Sequence, residues 1–294
     1  VHLASNYPRT EVRSQLRSGA WESVRPGAYV DALGSDQFTR RRLKVLALAT
    51  AVNAQTASAH IFSHETAAVL HGLPVVGVVE QAHLVQQFRP GTLGAADLKR
   101  HFFPLPPEHT AVRHGLPVTS LERTVVDCAL SLGRRNGLIV ADAALHTGAD
   151  RETCERILAG LPGRRGVVGA RWVLETADGG AESPGETLAR FEMLLGGLPR
   201  PVTQVVVETH LGTFWGDLGW PEERVILEYD GVAKYEANGR ASDAVLAEKR
   251  RQEAMEAAGW IVIRVTAADL RAPAHLLRTV RATLHTRRPS PAGS

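Results

Sequence analysis

The sequence predicts an α/β protein, α+β overall, built from more than one domain. Three observations carry that expectation. The chain has 294 residues, 44% hydrophobic and 22% charged, which is enough apolar material for a sizeable core. That content excludes disorder, collagen and coiled coil as the main architecture. Short β-branched runs alternate with longer, capped segments of helical pattern, as in mixed sheets with helices packed on them.

Some function classes are excluded at once. No stretch approaches the roughly 18 apolar residues a membrane span needs. The most apolar helix-like run, 43–52, is short and alanine-rich. No basic segment followed by an apolar one opens the chain, so no secretion signal is read. The two cysteines, Cys128 and Cys154, make neither a disulfide framework nor a thiolate zinc site alone, so a reducing cytoplasm is the expectation.

The formal charge is only +3, but just four of the 34 basic residues are lysine: Lys44, Lys99, Lys234 and Lys249. The arginine excess fits a GC-rich genome, and equally fits phosphate contact by guanidinium forks. Position must decide between them.

Residues 1–58 read as a small basic module with a linking helix. Thr10 is the expected N-cap of a helix over 11–18, closed by Gly19. Strands over 21–25 and 28–30 flank the turn pair Pro26-Gly27. Helix then hairpin is the second half of a winged helix-turn-helix, with the preceding helices missing or very short. Arg9, Arg13 and Arg17 recur every four residues and share a helical face. The module carries a local charge of +4, so Arg13 and Arg17, with Arg25 on the wing, are the candidate DNA contacts. The alternative is a solvated helix face. Residues 37–54 read as the linking helix.

Residues 59–178 read as a mixed α/β middle domain. Ser63 is an expected cap for a helix ending at His71, and strands are expected over 82–86 and 101–105. Thr119-Ser-Leu-Glu122 has the form of a capping box, and further helices are expected over 138–146 and 151–158. His60 and His64 stand four apart with His71 nearby, yet no carboxylate or thiolate completes a metal set at usual spacing, so capping and packing roles are expected.

Residues 179–294 form the third segment. Ser183-Pro-Gly-Glu186 reads as a capping box with proline in the first turn, opening a helix to about 195. Strands follow over 202–209, 214–220 and 224–230, then a helix over 243–258 and a strand over 260–265. The order is α-β-β-β-α-β.

Acidic residues on these strands are the informative anomaly, because charges are poor strand formers and rarely enter apolar runs without partners. Asp217 lies mid-strand. Glu228 and Asp230 follow Val225-Ile-Leu227, and period two sets them on one face. If the strands pair, Asp217 joins them, and three converging carboxylates call for a cation. Oxygen-only ligation suits Mg²⁺ or Mn²⁺. Glu186 is either a fourth ligand or simply the capping-box acid.

Here the sequence resembles the PD-(D/E)xK nuclease superfamily, and more narrowly the Vsr-like, very-short-patch-repair-like, endonuclease domains. The phrases are Glu182-Ser-Pro-Gly-Glu186, Trp215-Gly-Asp-Leu-Gly-Trp220, Leu227-Glu-Tyr-Asp-Gly231 and Gly259-Trp-Ile-Val-Ile-Arg264, over about residues 180–272. The resemblance implies a divalent-metal-dependent endonuclease in defence or DNA repair, with Asp217 and Glu228 as metal-binding acids and Glu186 as the helix glutamate of some branches. Where the family often has lysine, this chain has Asp230. Lys234 or Lys249 is then expected to stand in.

The front of the chain resembles a second family, the AbiEi-type antitoxins and transcriptional regulators. The phrases run from Arg17 to Val30, from Ser63 to Pro74 and from Val118 to Asp127. This resemblance implies promoter DNA binding by a winged helix and a possible toxin partner. An AbiEi-type repressor with an inactive nuclease-like domain is therefore the competing expectation, and a sheet domain used only for dimerisation is a third.

Overall fold

The computed structural model describes residues 1–34, 36–77, 81–88, 95–231 and 241–287. The fold is α+β, and the chain divides into two compact units, Val1–Thr176 and Ala177–Ser294.

The first unit begins with β1 (His2–Leu3), a short 3-10 turn, α1 (Arg9–Arg17), β2 (Trp21–Arg25) and β3 (Ala28–Asp31), the strands ordered β1-β3-β2. Pro8, not Thr10, holds the N-cap position of α1. Proline has its φ already set near the helical value and lacks an N–H that the first turn would leave unpaired. Trp21 organises this corner, with His2 stacked on it at 4.2 Å between ring centroids and Tyr7 edge-on at 5.0 Å.

Then come α2 (Gln37–Gln55), β4 (Ile61–Phe62), α3 (His64–Leu70), β5 (Ala82–Gln86), β6 (Leu98–Phe102), β7 (Thr110–Arg113) and β8 (Leu116–Thr119). The five strands from β4 to β8 form one mixed sheet ordered β6-β5-β4-β8-β7. Far from being a linker, α2 buries Leu48, Ala49 and Val52 against Phe62, Leu70, Leu84 and Val118. Residues 1–58 and 59–176 thus lie within one unit. β6 sits three residues earlier than its expected position, because Pro104 and Pro106 follow it and proline cannot donate to a ladder.

Four helices complete the unit: α4 (Leu121–Ser131), α5 (Gly133–His146), α6 (Arg151–Ala159) and α7 (Val167–Thr176). Ser120 caps α4, its side chain accepting from Arg123 N, while Thr119 ends β8. The cap is therefore one residue later than the sequence pattern suggested.

The second unit has the order α8 (Pro184–Leu195), β9 (Val202–Thr209), β10 (Gly212–Trp220), β11 (Val225–Asp230), α9 (Ala241–Ala257), β12 (Ile261–Thr266) and α10 (Ala274–Arg287). This is the expected α-β-β-β-α-β series with one added helix. The sheet is ordered β12-β11-β10-β9, parallel only between β11 and β12. On one face, Ala189 and Met193 of α8 and Leu276, Val280 and Leu284 of α10 pack on Leu218, Trp220, Leu227 and Val265. On the other, Met255 of α9 packs on Val205, Val207 and Ile226. A strand covered on both faces reads as a continuous apolar run, as Val225-Ile-Leu227 does.

Candidate functional site

The N-terminus of α8 meets the carboxyl end of β11 at close range. A Cβ on Gly185 would lie 2.0 Å from the Tyr229 ring, so only glycine lets the first turn of α8 settle there and carry Glu186 in. Glu186 completes a capping box: Ser183 Oγ accepts from Glu186 N and donates to Glu186 Oε1 at 2.7 Å, and Glu182 N donates to Glu186 Oε2 at 2.8 Å. Burial pushes its carboxyl above the usual carboxylate range, with the like charge of Asp217 among the contributing causes.

Asp217 occupies an irregular step of β10. Gly216 pairs Val205 and Leu218 pairs Thr203, which sets Asp217 opposite Gln204, a residue at φ +51°. The alternation breaks at that step. A Cβ on Gly216 would meet Ile226 on the α9 face, whereas Leu218 belongs to the core on the α8 face. Asp217 Oδ2 accepts the backbone N–H of Tyr229 at 2.8 Å. A carboxylate thus stands where a regular ladder would put a carbonyl.

Glu228 is held differently. Two positions on from Ile226, it shares that residue's face, and its register partner on β12 is Arg264. Arg251 Nη2 of α9 donates to both Glu228 oxygens at 2.7 Å, and Arg264 Nη1 lies 3.3 Å from Glu228 Oε2. Glu248 joins the same two arginines. Burial pushes the Glu228 carboxyl up while the arginines oppose that, and the hydrogen bond from Arg251 leads the causes that hold Glu248 at about 2.

The expected convergence of Asp217, Glu228 and Asp230 is therefore corrected. Among the described residues, the one set of three acidic, histidine or cysteine side chains whose ligand atoms all lie within 4.8 Å of one another is His64, His83 and His101. The acids are split by the irregular step, with the charge of Asp217 felt at Glu186 and with Glu228 under α9. Asp230 ends β11 beside Thr266 and is half-buried. Lys249 does not reach Glu228: its side chain is 71% exposed and its Nζ lies 3.7 Å from Glu253. Lys234 lies outside the described residues. Sequence reasoning missed Arg251, because it sought a lysine. The usable signal was a basic residue on the helix facing a buried strand acid.

In the first unit, Arg9, Arg13 and Arg17 are all exposed on α1. Arg25 is not a free wing residue. Its Nε lies 2.9 Å from Asp97 Oδ2, and only 11% of its side chain is exposed. Arg40 is likewise paired, with Glu22.

No family model matches the chain. Over 150 residues it is 35% identical to two Mycobacterium tuberculosis proteins, Uncharacterized protein MT2308 (strain CDC 1551 / Oshkosh) and Uncharacterized protein Rv2248 (strain ATCC 25618 / H37Rv). The match covers 50% of this chain and 54% of each relative, so the chain spans about half the length of the curated relatives it matches. The crystal structure of the RV2827C protein from Mycobacterium tuberculosis is similar at a TM-score of 0.36 and 18% identity, covering 68% of this chain and 72% of that one. A likeness of that size bears on neither fold nor function.

Proposed function

We propose that this chain binds DNA through α1 and that its second unit is a divalent-metal-dependent phosphodiesterase. The observation that carries this reading is the Glu186–Asp217 pair. Two carboxylates are brought within each other's field by a glycine-permitted approach and a broken strand alternation, and a cation between them would offset their repulsion. All-oxygen donors fit Mg²⁺ or Mn²⁺. A bound ion of this kind orients a scissile phosphate and lowers the pKa of an attacking water. Asp230 stands at the adjoining strand end. Arg251, committed to Glu228 and Glu248 under α9, stands apart from this pair.

The test is a pair of thermal melts with and without Mn²⁺. Asp217→Asn keeps an oxygen for the Tyr229 N–H and removes the repulsion. It should leave the metal-free protein unchanged or raise its Tm. Mn²⁺ should raise the Tm of wild type only, since a ligand of the native state at 100 times its Kd contributes about 2.7 kcal/mol. A destabilised Asp217→Asn protein, with no metal response in either form, would count against the site.

One observation favours a second reading, an AbiEi-type DNA-binding repressor or antitoxin whose nuclease-like unit is inactive. Glu228 is already neutralised by Arg251 and Arg264, which leaves it no need of a metal. Both readings require α1 to touch DNA. Arg13→Ala with Arg17→Ala should weaken binding and lower the slope of log K against log salt by about two. Filter binding across a salt series reads this directly, and an unchanged slope would make the basic face solvated surface.

A further inference from the structure

The first unit holds a histidine cluster that the acidic site does not use. His64 opens α3, His83 lies on β5 and His101 on β6. β5 and β6 are parallel with His83 opposite Lys99, so His101, two residues on, falls on the same face. Backbone bonds tie α3 to β5: Ser63 N donates to His83 O at 3.0 Å, and His83 N donates to Thr66 Oγ1 at 2.9 Å. The rings of His64 and His101 stack at 3.8 Å between centroids.

We propose that His64, His83 and His101 bind one divalent transition-metal ion of the zinc class. Several features support a built site. The three ligand nitrogens lie within 4.8 Å of one another. In a tetrahedral zinc site the spacing is about 3.3 Å, from bonds of about 2.0–2.1 Å, so closure needs a contraction of about 1.5 Å at most together with a turn of the stacked His64 and His101 rings, which lie only 12° from parallel. Each ring has a nitrogen to give. His83 Nδ1 lies 2.9 Å from Glu65 Oε2, and His64 Nδ1 is bonded to Ser63 Oγ at 2.9 Å, leaving Nε2 on both. The buried Nε2 of His101 has no hydrogen-bond partner among the described residues.

Glu65 Oε2, 2.9 Å from His83 Nδ1, stands where a carboxylate would orient a metal-binding imidazole once the ring turns to meet it. Finally, His64 sits at φ +51°, a left-handed conformation uncommon outside glycine. His64 and His101 also line a cleft of about 660 Å³ with Lys99, Arg123 and Arg164. That basic lining offsets the charge of an anion completing the metal's fourth position.

The experiment is calorimetric titration of the metal-stripped full chain with Zn²⁺. Wild type should bind one tight equivalent, and Asp217→Asn should retain that tight equivalent, which separates this site from the acidic one. Glu65→Gln should weaken binding 10- to 100-fold. His83→Ala with His101→Ala should abolish it. Because that double variant removes two buried rings, Co²⁺ absorption on wild type gives an independent reading, with a four-coordinate spectrum expected and reduced in Glu65→Gln at equal, limiting metal. Absence of Zn²⁺ binding by wild type, or affinity unchanged by Glu65→Gln and the histidine pair, would overturn the proposal.

Discussion

Arg123→Met should cost about 3–5 kcal/mol of stability, because it strands a buried carboxylate. Arg123 and Asp127 are one turn apart on α4, with side chains only 4% and 3% exposed, and Arg123 Nε donates to Asp127 Oδ1 at 2.9 Å. The arginine also lies over the Phe103 ring, 4.7 Å from its centroid. Even with that partner, burial pushes Asp127 up to about 6.

The pH dependence follows from the sign of that shift. A carboxyl whose folded pKa exceeds its unfolded value lowers stability fully above the folded pKa, and the penalty fades as pH falls toward the unfolded value near 3.8. The Arg123→Met deficit should therefore shrink in mild acid, as the stranded Asp127 takes up a proton. Adding Asp127→Leu should recover most of the loss at pH 7, since replacing both members of a buried pair by apolar groups is often near neutral. Urea denaturation at pH 7 and pH 5 measures all three proteins. A deficit below about 1 kcal/mol for Arg123→Met, the scale of an exposed pair, would mean that the pair is effectively solvated.

What the sequence showed well were features decided within a few residues. Ser183-Pro-Gly-Glu186 forms the capping box its spacing implied, and the β-branched run of β9 is a strand over the expected eight residues. Gly19 takes the positive φ that closes α1. Elements too short for periodicity were invisible: β1 and β4 have two residues each, and only their neighbours in the sheets make them strands.

Long-range partnership was the other blind spot. Arg25 reads as a wing residue until Asp97 is seen beside it. His64 reads as one of a local trio with His60 and His71. The fold instead brings it to His83 and His101 from two strands, while His60 Nδ1 turns to Ser58 O and His71 Nε2 to Thr119 O. At the acidic site, strict alternation predicts that Asp217 joins Glu228. One residue at positive φ on the neighbouring strand breaks that alternation, and no residue type at position 204 announces it.

The central claim is that Glu186 and Asp217 serve phosphodiester hydrolysis. The measurement that tests it most directly is nicking of supercoiled plasmid by the purified full chain, with Mg²⁺, with Mn²⁺ and with chelator, for wild type and Asp217→Asn. Wild type should nick only when a divalent cation is present. Asp217→Asn should be slower by at least about 100-fold, the scale of losing one group that stabilises charge in a transition state, while still binding plasmid through α1. Absence of nicking by wild type with either metal, or equal rates for the two proteins, would contradict the account.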